Sequence, residues 1–185
     1  MKRVERPHEN CYWVLPGRLM AGEYPIAIRA EDGLIKLSTI LAAGIRHFID
    51  LTHESDPLDP YVPLFDRVVD ASGPVPGYDR FAIPDMGIPD SPDVMNAILD
   101  RLDQLLAEQR VPYVHCWGGI GRTGTVIGCW LVRQGQSGAQ ALETLAGHWA
   151  TVAKRQRYPQ SPQTAAQCEY VLHWARLDRS LDRAG

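Results

Sequence analysis

Apolar residues recur along the chain with two different periods, and the switches between them mark candidate elements. Leu19 to Ala21 reads as a short strand. Leu34, Leu37 and Leu41 then recur at helical spacing until Gly44 stops the run. IRHFIDL (45–51) reads as a strand. From Thr52 to Tyr78 prolines and aspartates crowd together, which predicts a long irregular loop with little room for regular structure. Arg80 to Ile83 reads as a second short strand leading into the loop PDMGIPDSP, where Ser91 stands at an N-cap and Pro92 at the first helical position. The helix so started is expected to reach about Arg110. Its Met95, Ile98, Leu99, Leu102, Leu105 and Leu106 form one apolar stripe for a sheet to cover.

Val111 to His115 reads as a buried strand, and after a glycine-rich turn TGTVIGCWLV is apolar on every side. That pattern predicts a central helix, with Gly135 as its stop. Ser137 is the expected cap of the next helix, whose core face is Leu142, Leu145, Ala146 and Trp149. Ser161 is the expected cap of a last helix in SPQTAAQCEYVLHWARL. Strands alternating with helices predict an α/β fold, and no repeat of 20 to 50 residues suggests an array instead.

Composition narrows the picture further. A chain of 185 residues, 45% apolar and 22% charged, can bury a sizeable core and is expected to be one domain, 1–185. Nineteen basic against 22 acidic side chains leave a formal net charge of -3, without the basic excess that a phosphate backbone requires, so no nucleic-acid partner is expected. The N-terminal MKRVERPHEN lacks the apolar run of a signal peptide, and the densest apolar stretch, Val126 to Val132, is too short to span a bilayer. Cys11, Cys116, Cys129 and Cys168 form no CxxC pair, and His115 has no other His or Cys at ligand spacing. The reading is of reduced thiols in a cytoplasmic protein that uses no metal and associates with no membrane.

The strongest chemical signal is HCWGGIGRTGT at a strand-to-helix junction. A thiol at the end of a buried strand, facing a glycine-rich loop and a helix N-terminus, sits where backbone N–H groups and the helix dipole converge. Cys116 is therefore expected to ionise below the free value of about 8.5 and to act as a nucleophile. Gly118, Gly119 and Gly121 let the loop turn its amides inward without a Cβ in the way, forming a cradle for phosphoryl oxygens. The planar guanidinium of Arg122 can hold two such oxygens, and Thr123 can donate its hydroxyl to the sulfur when that sulfur leaves.

The stretch resembles the signature of cysteine-dependent protein tyrosine phosphatases: His-Cys, five residues, Arg, then Ser or Thr. Chain length and layout resemble the dual-specificity branch, and looser features extend the likeness over residues 15–178. The resemblance implies a central sheet of four to five strands flanked by helices, a phosphocysteine intermediate and no cofactor. Carried onto this chain it makes Cys116 the nucleophile, Arg122 the phosphate and transition-state ligand, and Trp117, Gly118, Gly119, Ile120 and Gly121 the amide cradle, with His115 in support.

Such chemistry needs an acid for the leaving oxygen. Asp85 stands 31 residues before Cys116, a separation like the family's, and Asp90, beside the Ser91 cap, is its rival. SPQTAAQ is similar to the family's glutamine-bearing segment, which makes Gln163 and Gln167 candidates for placing the hydrolytic water. Glu54 and Tyr61 look like positions that some bacterial relatives hold near the site. Lys154, Arg155 and Arg157 either attract an anionic substrate or, more simply, complement a helix end. The implied activity is a protein phosphatase acting on phosphotyrosine, with phosphoserine and phosphothreonine admitted by the dual-specificity branch. A cradle loop without Lys or Arg favours phosphorylated protein or a simple aryl phosphate over polyphosphorylated lipids. The alternatives are a phosphatase of another phosphomonoester, a sulfurtransferase or arsenate reductase, and a catalytically dead phosphopeptide-binding module.

Overall fold

Residues 5–26, 30–69 and 74–181 are described in the computed structural model. Residues 70–73 of the expected irregular loop and the first four of the N-terminal segment lie outside them. Five strands form one sheet: β1 (Cys11–Leu15), β2 (Leu19–Gly22), β3 (His47–Asp50), β4 (Gly77–Arg80) and β5 (Pro112–His115). Their order is β1-β2-β5-β3-β4, with β1 antiparallel to β2 and the other pairings parallel. The helices are α1 (Ala30–Ala42), α2 (Phe65–Val68), α3 (Pro92–Ala107), α4 (Gly121–Arg133), α5 (Gly138–Trp149) and α6 (Ala165–His173).

Side chains alternate across the sheet with a period of two. Val14, Leu19, Ala21, Ile49 and Val114 face one core with Leu99, Leu102, Val126, Ile127 and Leu145 from α3, α4 and α5. Trp13, Met20, Phe48 and Tyr113 face a second core with Leu37, Ile40 and Phe65 from α1 and α2. The fold is thus an α/β sheet with helices on both faces, as the alternating pattern predicts. All six stripe residues of α3 are buried, and α4 is buried from Gly121 to Val132. Helix α6 packs closely on α4 at Gly128, where a Cβ would stand 2.8 Å from Val171.

Several boundaries differ from the sequence reading, each for a local reason. β1 was not anticipated. Its residues are buried on both faces apart from Leu15, so no polar alternation betrays it. The strand expected at Arg80 to Ile83 is Gly77–Arg80 instead, a half-exposed edge strand with little apolar signal, followed by Phe81 and Ile83 donating to Asp50 and Leu51 carbonyls. The long loop holds a 3-10 turn, Val62–Leu64, and the short α2. Helix α3 stops at Ala107, because Gln109 adopts φ 57° and Arg110 N–H reaches the Leu105 carbonyl. This is a Schellman stop without the usual glycine. Gly135, at φ 99°, ends α4 as expected. Ser137 caps α5 in a capping box with Gln140. The cap of α6 is Thr164, in a box with Gln167, and Ser161 instead donates its hydroxyl to the Ile120 carbonyl at 2.7 Å.

Candidate active site

The site lies at the carboxyl ends of β2, β3 and β5, the edge where parallel sheets bind ligands. β5 ends at His115, so Cys116 opens a loop that enters α4 five residues later. Cys116 is buried, and it lines a small pocket with Asp85, Met86, Gly118, Ile120, Gly121, Arg122 and Gln163. One pocket therefore brings together the thiol, most of the loop, the arginine, one candidate acid and one candidate glutamine.

The loop carbonyls are tied outward by groups from four segments. The Cys116 carbonyl faces His115 Nδ1 at 3.3 Å, and the Trp117 carbonyl accepts from the Tyr24 N–H at 3.0 Å. The Gly118 carbonyl accepts from Lys154 Nζ at 3.3 Å, and the Ile120 carbonyl from Ser161 Oγ. A trans peptide carries C=O and N–H on opposite sides, so each tie turns the following N–H the other way. Gly119 sits at φ 73°, and a Cβ there would stand 2.4 Å from Gly22 C, so only glycine fits. The Trp117 side chain is 44% exposed beside this loop.

His115 is fully buried, and burial lowers its pKa despite the nearby Asp50 carboxylate, which keeps the ring neutral. A carbonyl only accepts, so Nδ1 carries the proton and Nε2 accepts from the Tyr61 hydroxyl at 2.7 Å. Tyr61 is buried in this bond, and together with Glu54 it lines a second, open depression on the β3 side. Thr123 is buried, and among the described residues its Oγ1 has no hydrogen-bond partner.

Arg122 is 2% exposed. Its Nη1 donates to Asp56 at 2.7 Å and to the Ile83 carbonyl at 3.0 Å, and its Nη2 donates to Asp85 at 2.9 Å. Burial opposes its charge, but the negative charges it faces, Cys116 in its thiolate form and the Asp56 and Asp85 carboxylates, prevail and raise its pKa further. The Asp56 side chain is 4% exposed, and its carboxylate also takes the His53 N–H within a tight turn. Sequence reasoning missed Asp56: it lies in an irregular loop 66 positions from Arg122, and no motif marks it.

The two candidate acids separate clearly. Asp85 is 55% exposed at the pocket mouth, whereas Asp90 is exposed away from it. The glutamines also part: Gln163 lines the pocket, while Gln167 is buried, caps α6 and donates Nε2 to the Gly87 carbonyl at 2.9 Å, bracing the acid-bearing loop. Lys154 faces inward onto Glu23 and Gly118 rather than a helix end, and Arg155 and Arg157 are exposed. Among the described residues no helix is long and apolar enough to cross a membrane.

A thiol, an amide cradle, a buried arginine and a carboxylic acid at the mouth of one pocket define a cysteine-dependent phosphatase of the tyrosine and dual-specificity class. Residues 8–171 match the family described as "PTP-SAK: Swiss Army Knife protein, DSP-PTPase phosphatase domain", and the chain belongs to that family. It is 44% identical over 95 residues to human receptor-type tyrosine-protein phosphatase H, a match covering 49% of this chain and 8% of that protein. The fold is similar to that of kinase-associated phosphatase bearing serine at its catalytic cysteine: TM-score 0.72, 18% identity, 95% of this chain and 96% of that one. It is also similar to a cysteine-to-serine form of P. aeruginosa TpbA in complex with phosphotyrosine: TM-score 0.64, 14% identity, 96% and 93% covered.

Proposed function

We propose that the chain is one phosphatase domain, 1–185, that hydrolyses phosphotyrosine, and phosphoserine and phosphothreonine, in protein substrates through a phosphocysteine at Cys116. The observation that carries this reading is the convergence of Cys116, Arg122 and Asp85 on one pocket, with Gly118, Ile120 and Gly121 of the loop between the thiol and the arginine. A phosphoryl dianion entering the cradle takes the inward N–H groups and Arg122 Nη2, which frees Asp85 from the arginine. Once freed, Asp85 takes up a proton from solvent; the Cys116 thiolate then attacks phosphorus, and the bond from phosphorus to the leaving oxygen breaks as Asp85 gives that oxygen its proton. Asp85 then removes a proton from the water that opens phosphocysteine, Gln163 orients that water, and the Thr123 hydroxyl stabilises the departing thiolate. Asp56 keeps Arg122 aimed throughout, and Gln167 steadies the Asp85 loop.

Besides Arg122, the cation tied to a cradle carbonyl among the described residues is Lys154, and its charge is already paired with Glu23. That supports protein over polyphosphorylated substrates. The four free thiols fit a reducing, cytoplasmic setting. The test is hydrolysis of p-nitrophenyl phosphate with EDTA present, by wild type and Cys116→Ser across pH 5 to 8. Turnover by the wild type alone supports the reading. Equal turnover by both proteins, or none by the wild type, overturns it.

A further inference from the structure

Among the described residues, the one carbonyl tie around the cradle that comes from a charged side chain is that at Gly118. The Gly118–Gly119 peptide is also the one least able to hold itself, since both residues lack a Cβ and Gly119 lies in the left-handed region. With its carbonyl held by Lys154 Nζ, the peptide turns the Gly119 N–H to the opposite side, away from Lys154.

Lys154 is itself held. Its Nζ pairs with Glu23 Oε2, and its backbone N–H donates to Asn10 Oδ1 at 3.2 Å. The other Glu23 oxygen takes Lys36 Nζ at 2.6 Å. Burial would push the Glu23 carboxyl up, but the two ammonium groups outweigh it and hold the carboxyl below its usual value. Glu23 thus stays charged and keeps the Lys154 ammonium under the loop. Arg155 carries the same charge one residue away, yet it is exposed and has no polar contact with the cradle among the described residues.

We propose that Lys154, oriented by Glu23, is a positioning residue: it fixes the Gly118–Gly119 peptide so that the Gly119 amide donates to the bound phosphoryl group. The inference rests on the phosphatase reading above. Losing one well-aimed donor to an anion is worth roughly ten- to a hundredfold in affinity.

The test compares wild type, Lys154→Met, Glu23→Gln and Arg155→Ala for vanadate inhibition, aryl phosphate kinetics and thermal midpoint. Lys154→Met is expected to weaken vanadate about tenfold and to lower kcat/KM comparably. Glu23→Gln should move both the same way by less, and Arg155→Ala should stay within twofold of wild type. Unchanged vanadate affinity in Lys154→Met overturns the proposal, including the case where only its thermal midpoint falls. An equal loss in Arg155→Ala also overturns it, by assigning the effect to general charge. If Lys154→Met does not fold, Glu23→Gln decides, and wild-type affinity in that variant refutes the brace. A wild type that neither binds vanadate nor turns over refutes the phosphatase reading itself, an outcome distinct from the others.

Discussion

Replacing Asp56 by Ala removes a group that touches no substrate, yet it should cost most of the activity. Asp56 Oδ2 and Arg122 Nη1 are 2.7 Å apart, with both side chains almost wholly buried. The second carboxylate on the arginine, Asp85, must leave it during each turnover in the mechanism proposed here. Without Asp56 the guanidinium keeps only the Ile83 carbonyl as a lasting partner among the described residues. A misplacement of about 1 Å at a reacting group costs roughly 10²-fold, so kcat/KM of Asp56→Ala should fall about a hundredfold. Removing one partner of a buried ion pair also costs about 3–5 kcal/mol of stability. At about 2–4 °C per kcal/mol for a chain of this size, the midpoint should drop by roughly 6–20 °C. Kinetics are therefore compared at a temperature where both proteins are folded. The decisive assay is a double-mutant cycle on aryl phosphate hydrolysis with Arg122→Ala. In the Arg122→Ala background Asp56→Ala should cost no more than about threefold, because the group it positions is gone. A similar hundredfold loss in both backgrounds, or activity within threefold of wild type in the single variant, refutes the argument.

Asp85→Asn should lower turnover by roughly 10² to 10⁴ with alkyl leaving groups and far less with a good aryl leaving group; a series of phosphate esters checks this, and a uniform effect argues against an acid role. Gly119→Ala places a Cβ against Gly22 at a left-handed position, so both vanadate binding and thermal midpoint should fall, read by inhibition and by calorimetry. Arg133→Met takes from the buried Asp178 the two hydrogen bonds of 2.7 and 2.9 Å that carry its countercharge, leaving those from Trp174 Nε1 and from Ser180 N–H and Oγ, and should cost about 3–5 kcal/mol at pH 7 in urea unfolding. Burial alone would raise the Asp178 carboxyl, but Arg133 and Ser180 outweigh it and hold it low. The stabilisation is thus complete above the unfolded value of about 3.9 and is lost as pH falls through the lower folded value. The gap between Arg133→Met and wild type should narrow in acid, and a constant gap would contradict the assignment.

Features that depend only on neighbours along the chain can be read from its residues. The apolar stripe of α3, the all-round burial of α4, the Gly135 stop and the Ser137 cap are legible because period and capping are local. The thiol, the cradle glycines, Arg122 and Thr123 are legible together because one strand, turn and helix carries them all within ten residues. What required tertiary structure was every relation across long separations. Only packing aims Arg122 at Asp56, separates Asp85 from Asp90 and divides the two glutamines between pocket and brace. The same holds for Lys154, whose charge reads in sequence as a complement to a helix end or an attractor of anionic substrate and in the fold as an inward tie to Gly118. Hydrogen bonds and ion pairs act over about 3 Å, and nothing in a one-dimensional pattern states which distant side chains the folded chain brings within that distance.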